Sequence, residues 1–281
     1  MNTALKILAP IILVAILIPA LFYTGLTIWG DWHDEWSGFN ASTYIGDGYC
    51  NIAVLPIEGE IHGYGSVTDD YGNEMTSTNM KDALSFLEQA EAEPGIYGVL
   101  ALINSTGGSG AAAEQIATEL KKSVMPNAAY IVDSGASAAY LIASAADTII
   151  ASPFSDVGSI GITMSYLDYS AQNAAQGIEY ISLASAKYKN YGDPDKPLTE
   201  EERGLFERDL SVWHEALVAE VAENRNLPIE TIAKLADGSS MPGKLALEAG
   251  LIDAVGNREV ARAWFANQLG MSPEEIVFCG Y

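Results

Sequence analysis

The hydropathy pattern divides the chain into two unlike parts. Ile7 to Gly30 runs for 24 residues without a charge, between Lys6 and an acidic cluster at Asp31, Asp34 and Glu35. About 20 apolar residues carry a helix across a bilayer, so residues 1–30 are expected to form one transmembrane anchor. A cleaved signal peptide competes with that reading. Its apolar region would span only ~7–15 residues and be followed by an Ala-x-Ala site, and neither is present. Lys6 precedes the span and acids follow it, so the positive-inside bias puts the N-terminus in the cytosol and the rest of the chain outside the cytoplasm.

Residues 31–49 are polar and aperiodic and read as a linker. Residues 50–281 read as one domain, large enough for a sizeable core. Within it, short apolar runs alternate with helical spacing. Strands are expected at Asn51–Ile57, Tyr97–Ile103, Ala128–Val132, Thr148–Ala151, Ile160–Met164, Glu179–Leu183 and Glu275–Cys279. Helices are expected at Thr78–Ala92, Ala111–Lys121, Ser137–Ala146 and Ala171–Gly177. Further helices follow, one from Thr199 to about Glu223, then Pro228–Leu235 and Arg258–Leu269. Strands alternating with helices predict an α/β fold with a largely parallel sheet covered on both faces.

Charge narrows the function classes. With 14 basic and 37 acidic residues the chain carries a net charge of −23. Such a surface repels nucleic acid, so no nucleic-acid partner is expected. Cys50 and Cys279, the only cysteines, stand at the two ends of the domain; they either pair in an oxidising compartment or are unrelated thiols. His33, His62 and His214 are scattered, and no metal-ligand spacing emerges, so neither metal nor cofactor is expected.

Candidate chemistry gathers at three places. Asn104-Ser105-Thr106-Gly107-Gly108-Ser109 follows a predicted strand and opens a predicted helix, and paired glycines there let backbone N–H groups face an anion or oxyanion. It lacks the lysine and spacing of a P-loop. Ser137 follows the next strand in Asp133-Ser134-Gly135-Ala136-Ser137, among small residues that leave room for a substrate backbone. A serine there also suits a helix N-cap, and Ser134 competes for either role. The N–H of Ala138 is a second candidate oxyanion donor, beside that of Gly107 or Gly108. Serine needs a base, and a lysine serves when its surroundings keep it neutral. Lys187 and Lys189 flank Tyr188 downstream, and spacing leaves both open; His62 reads better as a loop or packing residue.

These segments, with Ser137-Ala138-Ala139-Tyr140-Leu141-Ile142-Ala143, Val157-Gly158-Ser159-Ile160-Gly161 and Lys187-Tyr188-Lys189-Asn190, occur in the order seen in the signal peptide peptidase A (SppA) family. Pro197-Leu198-Thr199-Glu200-Glu201-Glu202, Ala236-Asp237-Gly238 and Gly250-Leu251-Ile252-Asp253 extend the likeness over about Asn51 to Gly256. The chain therefore resembles membrane-associated bacterial serine peptidases with a ClpP–crotonase type of fold, a repeated β-β-α spiral. The resemblance implies Ser137 as nucleophile, Lys189 as general base and Ser159 as the serine that helps hold the lysine. It also implies Gly108, with Gly107 beside it, as the oxyanion glycine. It further implies peptide substrates such as residual signal peptides or membrane-proximal segments, a location in the bacterial cytoplasmic membrane, and a homo-oligomer whose neighbouring subunits complete the active sites. Two departures stand out: Ala138-Ala139 where the family has paired glycines, and Thr106 where it favours proline. They motivate a second reading as a catalytically impaired membrane scaffold of the same fold. A crotonase-like acyl-thioester enzyme is a third.

Overall fold

The structure, a computed structural model, describes residues 45 and 49–280, which belong to one compact unit. The expected anchor and nearly all of the linker lie outside the described residues. Among the described residues no helix is long and apolar enough to cross a membrane.

Strand β1 (Ile52–His62) lies beside β2 (Ser77–Asn79) and β3 (Gly98–Gly108); β4 (Asn127–Ala136) follows β3. The sheet continues through β5 (Thr148–Ala151) to β8 (Ala254–Val255), in the order β2-β1-β3-β4-β5-β8, every pair parallel. Central strands of such a sheet are buried on both faces and lose their alternation. Accordingly Ile52, Ala53, Val54, Leu55 and Ile57 are all buried. Pro56 is tolerated because β2 reaches β1 only from Glu60 onward, so no partner on that side needs its missing N–H.

Helices α1 (Met80–Ala92), α2 (Gly110–Lys122) and α3 (Ala138–Ser144) follow β2, β3 and β4, each burying an apolar stripe. The long α5 (Glu200–Asn224) starts at a capping box formed by Thr199 and Glu202. The last helix, α8 (Arg258–Leu269), seats Ala261, Phe265 and Ala266 on Ile52, Val54, Leu100, Leu102 and Ile150. Helices thus enclose the sheet, and the mixed α/β class with a mainly parallel sheet is as expected.

Several boundaries differ, and the differences shape the site. Strands β3 and β4 run on to Gly108 and Ala136, well past the apolar runs, so the glycine pair ends a strand rather than opening a helix. Between Ile131 and Gly135 the register of β4 shifts, and its upper half leaves β5 to pair with β6 (Asp156–Gly158). The strand expected at Ile160–Met164 is therefore displaced to β6, which pairs antiparallel with β7 (Ser240–Pro242). Residues 161–169 and 178–186 contain no strand, so Glu179–Leu183 is corrected to an exposed loop after α4 (Ser170–Ala175). Two further short helices, α6 (Ile229–Leu235) and α7 (Gly243–Glu248), complete the chain; α7 was not anticipated. The expected C-terminal strand reduces to a 3-10 turn at Pro273–Glu275 and one parallel bridge, Ile52 to Phe278.

That bridge brings the ends of the domain together. Cys50 and Cys279 form a disulfide across 229 positions, with Cα atoms 5.1 Å apart. Closing so long a loop restricts the unfolded chain, an effect of about 2–5 kcal/mol. Reduction, or a Cys50→Ser/Cys279→Ser double variant, is therefore expected to lower the melting temperature by several degrees in a calorimetric scan, with far-UV circular dichroism at 20 °C unchanged.

Candidate active site

Two irregular strand pairs build the site. β1 and β3 slip register between Glu58 and Glu60, and β3 and β4 slip between Ile103 and Ser105. Such irregularities re-aim strand ends and are frequent beside active sites. Buried serines satisfy the backbone groups they disturb. Ser105 Oγ donates to Gly59 O at 2.5 Å and accepts from Gly107 N at 3.1 Å. Ser155 Oγ lies 2.9 and 3.0 Å from the carbonyls of Ile131 and Val132.

Ser137 occupies the turn between β4 and α3 with φ 54° and ψ −122°. A non-glycine residue at such positive φ is strained and needs support from its surroundings. Here its N–H donates to Gly158 O at 2.8 Å and its carbonyl accepts from Leu141 N at 3.1 Å. Ser137 occupies the N-cap position of α3, yet its side chain makes no capping bond. Its side chain is half-buried. Ser134, the competing nucleophile, sits lower on β4 opposite Asp156, and its hydroxyl oxygen is sealed from solvent without a hydrogen-bond partner.

The glycines press on this turn. A β-carbon on Gly107 would stand 2.9 Å from Ser137 Cβ and 3.1 Å from Ala138 N. One on Gly108 would stand 2.2 Å from Ile61 O, and both glycines have positive φ, 111° and 146°. The Gly107 N–H is taken up by Ser105 Oγ, which leaves Gly108 and Ala138 as the donors to consider. The N–H of Ala138 belongs to the first turn of a helix and has no intrahelical acceptor. Ala138 and Ala139 are buried and neither has positive φ, so these positions do not demand glycine. Tyr140 holds α3 from behind. Its buried hydroxyl donates to Leu251 O at 2.7 Å, and burial pushes the phenol far above its ordinary range.

The remaining candidates divide cleanly. Ser159, also at positive φ (48°), follows the glycine that receives the Ser137 N–H; its hydroxyl donates to Gly238 O at 3.0 Å, leaving its lone pairs free to accept. Lys187 Nζ lies 2.5 Å from Glu201 and over the Tyr188 ring. Glu201 first, then Tyr188, hold it protonated above the ordinary lysine range. Lys189 is exposed and its Nζ makes no hydrogen bond or ion pair among the described residues. His62 is engaged locally, with Nε2 3.1 Å from Ser77 Oγ and Nδ1 3.3 Å from Tyr64 O. No group of side chains suited to a metal ion occurs among the described residues.

The strained strand-to-helix turn of Ser137 and the paired glycines lie together at the carboxyl edge of the parallel sheet, where α/β folds place their functional sites. The sequence matches Peptidase family S49 over residues 119–272, more than half its length, and the chain belongs to that family. It is 34% identical over 205 residues to a candidate protease of Methanocaldococcus jannaschii, covering 71% of this chain and 66% of the relative. It is 30% identical over 186 residues to a candidate signal peptide peptidase SppA of Enterococcus faecium, covering 65% and 54%. To the chloroplastic serine protease SPPA of Arabidopsis thaliana it is 31% identical over 157 residues, covering 55% and 23%. The chain thus spans from about a quarter to two thirds of these relatives.

The Gly108 geometry makes a direct prediction. Gly108→Ala would bring a methyl onto the Ile61 carbonyl at a strained φ, and should destabilise the fold by more than about 2 kcal/mol in urea titration. The exposed Thr106→Ala should stay within about 0.5 kcal/mol of the parent.

Proposed function

We propose that this protein is a serine endopeptidase with a Ser137/Lys189 dyad, acting on residual signal peptides or other membrane-proximal polypeptides. The observation that carries the reading is the strained conformation of Ser137, whose hydroxyl caps nothing and whose Cβ lies against Gly107. Membership of a peptidase family and a relative named a serine protease support it. Lys189 is preferred to Lys187 because it is the lysine without a carboxylate partner.

In the proposed reaction Ser137 Oγ attacks the peptide carbonyl carbon while neutral Lys189 Nζ takes the hydroxyl proton. The oxyanion accepts hydrogen bonds from the N–H groups of Gly108 and Ala138, each worth about 3 kcal/mol in reactions of this type. The C–N bond breaks as the lysine ammonium protonates the leaving amine, and an acyl ester remains on Ser137. Water then adds to the ester, giving its proton to Lys189. The new acid departs as Ser137 Oγ recovers that proton. Ser159, through its free lone pairs, accepts a hydrogen bond from the lysine when the two meet.

The Cys50–Cys279 disulfide supports an extracytoplasmic domain, since such bonds persist in oxidising compartments. With the uncharged run Ile7–Gly30 it favours a single-pass protein of the bacterial cytoplasmic membrane, catalytic domain outside. The segment around Lys189 exposes Leu167, Ile181 and Leu183, at 66%, 72% and 92%, which favours assembly with further copies.

A fluorophosphonate probe should label the purified protein, and Ser137→Ala should abolish both labelling and peptidase activity. Lys189→Ala should lower activity by at least about 100-fold, the usual contribution of a general base, with melting temperature unchanged. Full activity in either variant would overturn the dyad, and absence of labelling in the parent would favour the scaffold reading.

A further inference from the structure

The segment that carries Lys189 lacks regular secondary structure, yet a chain of side-chain hydrogen bonds orders it from within. Asn190, the residue after the lysine, donates from Nδ2 to Tyr180 Oη at 3.1 Å and to Ser182 Oγ at 3.3 Å. Tyr180 in turn donates its hydroxyl hydrogen to Asp193 Oδ2 at 2.8 Å. The other carboxylate oxygen of Asp193 accepts from Asp195 N at 3.0 Å, and Asp195 Oδ1 accepts from Asn173 Nδ2 on α4 at 2.8 Å. The Pro194 carbonyl accepts from Tyr169 N at 2.7 Å, fastening the same stretch to the start of α4.

The direction of each bond is forced. A carboxylate only accepts, so Asp193 fixes the Tyr180 hydrogen toward itself. The phenol oxygen then offers its lone pair to the other side, where only a donor is welcome, and the Asn190 amide must present its NH2 end. Hydrogen bonds aligned in this way strengthen one another. Backbone turns close on both sides of the lysine: Lys189 N donates to Ala186 O at 3.1 Å, and Asp193 N to Asn190 O at 3.4 Å. Gly192, at φ 72°, permits the second turn, and the Tyr191 ring packs 5.0 Å from Phe206 on α5. The Lys189 side chain takes no part in this framework; among the described residues its amine end makes no hydrogen bond or ion pair.

We propose that Asn190, Tyr180 and Asp193 are positioning residues for the Lys189 amine, setting the direction in which its side chain leaves the chain. The proposal rests on Lys189 being the base. Residues in a loop lose reach and direction easily, and a misplacement of about 1 Å in a reacting group costs on the order of 100-fold. A hydrogen-bonded triad one residue from the base supplies the rigidity that no strand or helix supplies here.

The test uses full-length protein in detergent with four single variants: Tyr180→Phe, Asn190→Leu, Asp193→Asn and Lys189→Ala. Kinetics on a fluorogenic peptide, the rate of fluorophosphonate labelling at Ser137 and the melting temperature are read for each. Tyr180→Phe keeps the ring and removes only the hydroxyl, so it should remain folded. The expected result is a kcat lowered about 10-fold or more in Tyr180→Phe and Asn190→Leu, with KM within twofold, labelling slowed in parallel and melting shifted by less than 2 °C. Asp193→Asn should have a smaller effect, because its amide oxygen still accepts from Tyr180. Parent-like kcat and labelling in Tyr180→Phe and Asn190→Leu, beside an inactive Lys189→Ala, would overturn the positioning role and leave the dyad standing. An active Lys189→Ala would overturn both. Loss of activity in proportion to lost folded protein would reduce the triad to a structural element and overturn the proposal.

Discussion

The approach of β3 to the turn bearing Ser137 governs the rest of the site, because side-chain-free Cα atoms at Gly107 and Gly108 allow three backbones to meet. Gly108 lies against Ile61 on β1, and Gly107 lies against Ser137 Cβ and Ala138 N. A methyl at either position would push β3 away from one neighbour or the other. The strained φ of Ser137 is tolerable because its N–H is spent on Gly158 O and its carbonyl starts α3. Strain of about 1–3 kcal/mol at one residue is small against a core that buries Phe86, Phe265 and Tyr140 completely.

Much of this was legible in the residues, and what was missed has physical causes. Helices with a clear apolar stripe and a side-chain cap were read closely: α8 spans Arg258–Leu269 as expected, and the stretch from Thr199 carries its capping box. The strand ends were not, because Asn104 to Gly108 and Asp133 to Ala136 are polar or glycine-rich and owe their extended form to neighbouring strands. Glu179–Leu183 has the aromatic and β-branched content of a strand but finds no sheet edge, and Ile181 and Leu183 stay exposed. Ser105 and Ser155 were passed over as catalytic context because their work is internal, satisfying backbone groups at bulges. A serine inside an otherwise apolar strand run was the signal available for Ser105.

Two lysines two residues apart illustrate how environment separates identical chemistry. Lys187 is drawn into an ion pair with the first turn of α5 and held charged. Lys189 makes no ion pair among the described residues, while the residue that follows it is tied down.

The disulfide has a consequence for a molecule in a proteolytic environment. Cys50 and Cys279 bracket nearly the whole domain, including the largely exposed stretch from Gly161 to Pro197, which outside α4 has neither strand nor helix and offers the easiest point of attack. A cut anywhere between them yields two fragments that remain one covalent molecule. Clipped and intact protein would then migrate together until a reductant is added, and the clipped form would keep both halves of its sheet in register.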